Sequence, residues 1–363
     1  MLRFPHAAPA AVKGTMARAA EDVRRKPVTL SDVAAAAGVS QATASRCLNG
    51  SERKVNPELR EKVLAAAARL NYTANLSAQT VARGTSTTVA LLVSDIADAY
   101  FSSMAASVMS AAEAKGLRVT IAVTERNVER EIELVRELRG QHARAVILAG
   151  SGYVDSRFAE PLVRELTMFE EMGGRVVLIS RTDLPFETVD LDNLGGARRL
   201  ASALVRLGYE SFRLLGGEEQ LVATRDRIEG FRLGLADAGI HLDADRVIYS
   251  DFSWEGGFTA VQAMDDKVLA DTRLIFAVND EMALGAIAGL RGRGLRIPED
   301  IAVAGFDDIR SLRDVVPGLT TVRVPLVEVG REAIARVIGS PSGERSRVVV
   351  ATVALRDSTP RLN

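Results

Sequence analysis

The stretch VTLSDVAAAAGVSQATASRCLNG, Val28–Gly50, decides how the first part of this 363-residue chain is read. Thr29 and Ser31 can each cap a helix in which Leu30, Val33, Ala34 and Ala37 recur at the three- and four-residue spacing of one buried face. Gly38 stops that helix, because glycine accepts the left-handed backbone of an abrupt end. Ser40 then caps a second, short helix, Gln41 to Leu48. Its inward set is Val39, Ala44 and Leu48, which leaves Gln41, Ala42, Thr43, Ser45 and Arg46 outside. Asn56-Pro57 opens a third helix that runs to about Leu70, with Val63, Leu64, Ala67 and Leu70 as its core stripe. Proline suits the first helical position, where its missing N–H would have had no helical partner. Helix, glycine turn, capped helix and packing helix form a helix-turn-helix pattern. An ordinary three-helix bundle with a solvated polar face fits the same spacing.

Charge separates this segment from the rest. Residues 1–84 hold 13 Lys and Arg against 6 Asp and Glu, while residues 85–363 hold 33 against 41. A basic arm on a larger acidic body is the footprint of a nucleic-acid-binding module joined to something else, although a basic end is also compatible with a plain solvated surface. Hydrophobic residues at 47% and charged residues at 26% describe a globular chain with material for real cores. No apolar run approaches the roughly 18 residues a membrane span needs. The single cysteine, Cys47, excludes an internal disulfide and fits a cytoplasmic protein. Three scattered histidines offer no metal centre, and no cofactor is expected. Residues 1–26 read as a disordered leader rather than a secretory signal, with Met16 as an alternative start.

An arginine displayed on a short helix can give guanine two parallel hydrogen bonds in the major groove, and short hydroxyl and amide side chains suit phosphate oxygens at its edge. Val28–Gly50, followed by REKVLAAAARLNY (Arg60–Tyr72), closely resembles the DNA-binding headpiece of the LacI/GalR family of bacterial repressors, and the resemblance continues over about residues 27–360. It implies that Gln41, Ala42 and Arg46 read base edges of double-stranded operator DNA, and that Ser40, Thr43, Ser45 and Asn49 grip the backbone. Thr29 and Tyr72 join the expected DNA-binding set. Cys47, on the recognition helix, reads as a small apolar filler rather than a redox switch, since no second cysteine can resolve an oxidised sulfur.

The expected organisation is a leader (1–26), a headpiece (27–73), a hinge (74–87) and an effector-binding and dimerisation body (88–363). The resemblance implies that the hinge, NLSAQTVAR (Asn75–Arg83), becomes a helix on DNA, enters the minor groove with its dimer mate and wedges an apolar side chain into the central step. Asn75, Ala78 and Val81 are its expected contacts. Val81 stands where the family has a leucine and Ala74 where it often has a proline. The shorter, β-branched valine predicts a shallower kink.

From Thr88 onward apolar runs alternate with helical stretches. The runs are Val89–Val93, Val119–Val123, Ala145–Gly150, Val176–Ser180, Ser211–Gly217, Arg246–Phe252, Leu274–Asp280 and Ile301–Asp308. Such alternation predicts an α/β body with parallel sheets, here two subdomains with a ligand crevice at the strands' carboxyl ends. The resemblance implies a periplasmic-binding-protein-like body, and residues 317–325 resemble a late crossover between its halves. By that resemblance Arg227 and Asp280 are the most dependable effector contacts, Tyr100, Phe101 and Phe252 line the site, and Asp192 is a weaker carry-over. Trp254 is open between a cap on the pocket and core packing. Asp98-Ala99 replaces a frequent Asn-Pro, which removes an amide contact to sugar hydroxyls.

No nucleophile elbow, zinc-protease helix or phosphate loop occurs, so an enzyme is not expected. The expectation is a homodimeric repressor that binds a pseudo-palindrome and responds to a small, sugar-like effector. The alternatives are an effector-independent or corepressor-dependent regulator, for instance one responding to purines or nucleosides, and, less favoured, a solute-binding protein.

Overall fold

A computed structural model describes residues 28–49, 56–73, 86–150, 152, 159–180, 184–339 and 345–362. The expected leader and most of the hinge, with Asn75, Ala78 and Val81, lie outside the described residues. The chain divides into two compact units, Met1–Ala82 and Arg83–Asn363.

In the first unit α1 is Leu30–Ala37, α2 is Gln41–Asn49 and α3 is Pro57–Arg69. Thr29, not Ser31, caps α1. Its N–H donates to Asp32 Oδ2 at 2.8 Å while its hydroxyl oxygen receives the Asp32 N–H, a reciprocal capping box. Gly38 ends the helix at φ +68°, and its N–H reaches the carbonyls of Ala34 and Ala35. Ser40 Oγ accepts from the Thr43 N–H at 3.2 Å, and Asn56 Oδ1 from the Glu58 N–H at 2.9 Å. The core is small: Val33, Ala34, Ala44, Cys47, Val63, Ala66 and Ala67, flanked by Val39, Leu48, Leu70 and Tyr72. One sequence expectation fails here. Leu64 is exposed, and Ala66 takes the core place. The buried stripe of α3 runs Val63, Ala66, Ala67, Leu70, and a residue one step from Val63 is turned about 100° away from it.

In the second unit the chain first builds β1 (Thr88–Val93), α4 (Ala99–Glu113), β2 (Arg118–Val123), α5 (Val128–Gly140), β3 (Ala145–Ala149), α6 (Ala159–Glu171), β4 (Arg175–Ile179) and β5 (Glu187–Leu191). It continues with α7 (Asn193–Arg206), β6 (Phe212–Gly216), α8 (Val222–Ala236), β7 (Val247–Tyr249), α9 (Trp254–Gln262), α10 (Asp266–Ala270), β8 (Leu274–Ala277), α11 (Asp280–Gly292) and β9 (Ala302–Ala304). β10 (Thr321–Arg323), α12 (Leu326–Ile338), β11 (Ser346–Val349) and β12 (Thr352–Ala354) complete it. The two main sheets have the orders β11-β5-β4-β3-β1-β2 and β7-β6-β8-β9, with every pairing within them parallel, and β10 and β12 form a separate antiparallel pair. β1 and β3 are buried over nearly their whole length, as continuous apolar runs require in a sheet covered on both faces.

The chain passes between the two sheets at three places. It leaves the first after β5, returns between β10 and α12, whose helix packs on α4 and β4, and leaves again between β11 and β12. The second crossing is the one expected at residues 317–325. Three expected strands end early: Leu274–Asp280 stops at Ala277, because Asn279 caps α11 and makes Asp280 its first residue, Ile301–Asp308 gives only Ala302–Ala304 as strand, and Arg246–Phe252 only Val247–Tyr249. β5 and β11 carry no continuous apolar run and were not foreseen; β11 pairs beside β5 from more than 150 residues downstream.

Candidate functional site

On α2 Gln41, Ala42 and Arg46 are exposed, whereas Ala44 and Cys47 are buried on the opposite face. The helix therefore turns one side into the core and offers the other to a partner. Arg46 Nε donates to the Ala42 carbonyl at 3.1 Å, tethering the guanidinium to the displayed face. Ser40 is exposed and Thr43 half-buried, their hydroxyls 2.9 Å apart in a hydrogen bond; Ser45 is half-buried. Asn49 closes α2. Thr29 already spends its hydroxyl on Asp32, at 2.7 Å, and these bonds hold the Asp32 carboxyl below the usual range. Tyr72 is half-buried against the headpiece core.

In the second unit a cleft opens at the carboxyl ends of the strands, lined from both subdomains. Tyr100 and Phe101 stand in the first turn of α4, their rings edge to face at 5.1 Å, and both line it. Asp98 caps that helix, Oδ1 accepting from the Tyr100 N–H at 2.8 Å. Burial raises its carboxyl pKa. From the other subdomain Phe252 lies flat against Gly217, where any β-carbon would sit 2.1 Å from the ring; only glycine leaves that wall in place.

Arg227 organises the floor. Nε donates to Asn193 Oδ1 at 2.9 Å, Nη1 to the Val278 carbonyl at 2.7 Å, and Nη2 pairs with Asp307 at 3.0 Å, while the guanidinium stacks 3.9 Å above the Phe306 ring. Asn193 in turn donates to Ser180 Oγ, at 3.2 Å, at the far side of the first crossing. A polar relay thus runs from one subdomain to the other beneath the cleft. Asp307 carries a φ of +117°, a strained value for a residue with a side chain. Burial, only partly offset by Arg227, pushes its pKa up to about 7. Burial and the nearby Asp307 charge raise that of the Tyr100 hydroxyl as well.

Arg227, Tyr100, Phe101 and Phe252 come together as expected, but the other two do not join them. Asp280 is fully buried and lines no part of the cleft; it accepts from the Ile309 N–H at 3.0 Å and the Thr321 hydroxyl at 2.6 Å. Opening α11 rather than ending a strand turns it inward, where burial and repulsion from Asp307 raise its pKa well above the carboxylate range. Asp192 sits at the crossings, paired with Arg199, whose Nη2 also donates to the Ala351 carbonyl at 2.8 Å. It ties the first crossing to the third. Trp254 is neither cap nor core: partly exposed, it stacks on Phe258 at 5.4 Å. Sequence reasoning missed Asp307, Arg126 and Glu131 in the lining, and had treated Asp98 as the loss of a contact there. The paired acids of GFDD at the end of an apolar run were the available signal for Asp307; nothing local marked Arg126.

Comparison with known proteins gives the same two parts. Residues 29–75 match the model described as bacterial regulatory proteins, lacI family, and residues 201–359 match the periplasmic binding protein-like domain. The HTH-type transcriptional regulator CelR of Thermobifida fusca is 33% identical over 331 residues, covering 90% of this chain and 95% of that protein. This chain belongs to the lacI family of bacterial regulators. Another lacI-family relative, the regulator GalS of Salmonella typhimurium, is 32% identical and covers 87% of the chain and 91% of its own length. Among solved structures, the lac repressor dimer bound to operator and the anti-inducer ONPF superposes with a TM-score of 0.82 at 28% identity, covering 92% of this chain and all of that one. A CelR–cellobiose complex gives 0.66 at 31%, covering 91% and 99%. These relatives are DNA-binding transcriptional regulators, not enzymes. Among the described residues no helix of this lacI-family member is long and apolar enough to cross a membrane.

Proposed function

We propose that this lacI-family regulator is a cytoplasmic, homodimeric repressor that reads a pseudo-palindromic operator and is controlled by a small sugar-like effector in the cleft. The observation that carries the reading is α2, which exposes Gln41, Ala42 and Arg46 while its opposite face fills the headpiece core. In it Arg46 and Gln41 read base edges, Ala42 leaves room for a close approach, and Ser40, Thr43, Ser45 and Asn49, with Thr29 and Tyr72, meet the backbone. Residues 27–73 act as the headpiece and 74–87 as the hinge, with Asn75, Ala78 and Val81 in the minor groove; residues 88–363 form the body. A two-fold protein suits a two-fold operator.

In the cleft Tyr100, Phe101 and Phe252 provide aromatic faces for the apolar side of a sugar ring, and Arg227 and Asp307 a charged hydrogen-bonding floor. The relatives support a sugar-like ligand: one solved structure is a complex of CelR with cellobiose. Asp192 and Asp280 support the site from behind. Because Arg227 reaches Asn193, and Asn193 reaches Ser180, a ligand on that floor has different contacts in the open and closed arrangements. That differential affinity is what couples it to DNA binding.

The test is selection from a randomised DNA pool at near-physiological salt, followed by titration of the winning site with cellobiose, lactose, galactose and ribose. Enrichment of a pseudo-palindrome, whose binding one of these sugars changes, is the expected result. Salt-sensitive retention with no enriched sequence would mean phosphate contacts alone and would overturn the operator reading. An enriched operator indifferent to every sugar would overturn the sugar-like effector.

A further inference from the structure

The mouth of the cleft carries a contact that the floor does not need. Arg126, from the turn between β2 and α5 of the first subdomain, directs Nη2 to the carbonyl oxygen of Phe252 in the second, at 3.4 Å, and its guanidinium lies 5.4 Å from the centre of the Phe252 ring. Both residues line the cleft. We infer that Arg126 is a gate residue: it holds the two lips together, fixes the Phe252 wall, and must part from it for an effector to enter.

Two independent features of the turn support this. Glu125 and Arg126 adopt φ values of +54° and +55° in succession, a left-handed pair that side chains other than glycine rarely take. The turn is pinned on both sides. Thr124 and Glu125 donate their N–H groups to the carbonyls of Val93 and Ser94, at 2.9 and 3.0 Å, and the Asn127 side chain caps α5 by accepting from Arg130. Such strain persists where the surroundings over-determine it, and here it aims one long cation across the opening. On the facing lip the Phe252 ring cannot retreat without leaving the glycine surface of Gly217. A second bridge, from the Val222 N–H to the Gly152 carbonyl at 3.0 Å, joins the same two subdomains through backbone alone and is unaffected by side-chain replacement.

The chemistry suits a gate. A cation beside a half-buried ring with a long hydrogen bond is a weak contact, worth about a fivefold bias between closed and open forms, so a ligand can break it and the lips can reseal. Lysine, a point charge, cannot cover the ring and address the carbonyl at once. The inference deepens the reading of the cleft as the effector site, but its test uses the ligand-free protein and can fail while that reading stands.

Spin labels at Glu137→Cys on α5 and Lys267→Cys on α10, both exposed, in a Cys47→Ala background of the full chain, report the separation of the subdomains by pulsed electron resonance. Arg126→Met is expected to raise the longer-distance population about fivefold without moving the melting temperature of the body, and Arg126→Lys to fall between. Phe252→Leu, which keeps the carbonyl and removes the ring, should raise it less. The pair Arg126→Met with Phe252→Leu should add nothing beyond Arg126→Met alone. A distance distribution unchanged by Arg126→Met would overturn the gate, as would strictly additive effects in the double variant. A drop in melting temperature with no change of distance would make Arg126 merely structural.

Discussion

The two units answer the same question, how a surface is made ready for a partner, in opposite ways. The headpiece does it locally. Within nine residues α2 carries both its anchor, Ala44 and Cys47, and its display, Gln41, Ala42 and Arg46, so the displayed surface follows from helical periodicity. The body does it by assembly. Its floor joins Arg227 to Asn193, Val278, Phe306 and Asp307, contributed by separate elements across more than a hundred residues of chain. In the first case the functional atoms are solvated and the partner supplies the desolvation. In the second the protein has already buried them, and the side chains proposed to meet a ligand are the ones that hold the fold together.

That difference can be broken most severely at Arg227. Arg227→Ala leaves Asp307 without its counter-ion and is expected to cost the body about 3–5 kcal/mol, read by urea unfolding at pH 8. The sign with pH follows from the raised Asp307 pKa. In the folded wild type Asp307 keeps its proton up to about pH 7, whereas unfolded it loses it near 4. Its contribution to stability therefore falls as pH rises through that window. With Arg227 gone the window moves higher, so the penalty should shrink at pH 5, where a neutral Asp307 needs no partner. A penalty equal at both pH values would show that the carboxyl charge is irrelevant to the floor.

The next effect belongs to the display. Arg46→Ala should weaken the selected operator by about 1–3 kcal/mol in fluorescence anisotropy while leaving both units folded, since the side chain reaches no core atom. A loss equal on random and selected DNA would make Arg46 a phosphate contact. Thr29→Ala is expected to cost the headpiece about 1 kcal/mol, measured by thermal unfolding, because it removes the cap of α1. The smallest effect separates support from contact in the cleft. Asp280→Asn keeps an acceptor for Ile309 and a partner for Thr321, so stability should change by under about 0.5 kcal/mol and effector titration should be unmoved. A large loss of effector response would return Asp280 to the ligand's surroundings.

The outcome for the expected site residues follows the same division. Those on α2 were legible because one helix sets both their burial and their exposure. Tyr100, Phe101 and Phe252 were legible because aromatics beside strand ends face a crevice in any parallel α/β arrangement. Asp280 and Asp192 were expected at the site from the family resemblance, yet one turned inward when α11 began three residues after β8, and the other was drawn to Arg199 at the crossings. Arg126 carried no signal, as its role depends on where the opposite lip lies.

By itself the sequence determined the three headpiece helices, the caps at Ser40 and Asn56, a first cap at either Thr29 or Ser31, and the alternation of buried strands with helices. Each of these is set by interactions within about four residues or by the period at which apolar groups must face a core. Only the tertiary structure decided that β11 closes the edge of the first sheet, that Asp307 rather than Asp280 faces Arg227, and that Arg126 meets Phe252. Those choices depend on which distant groups are desolvated together, and buried charges accept only partners that the whole fold brings within reach.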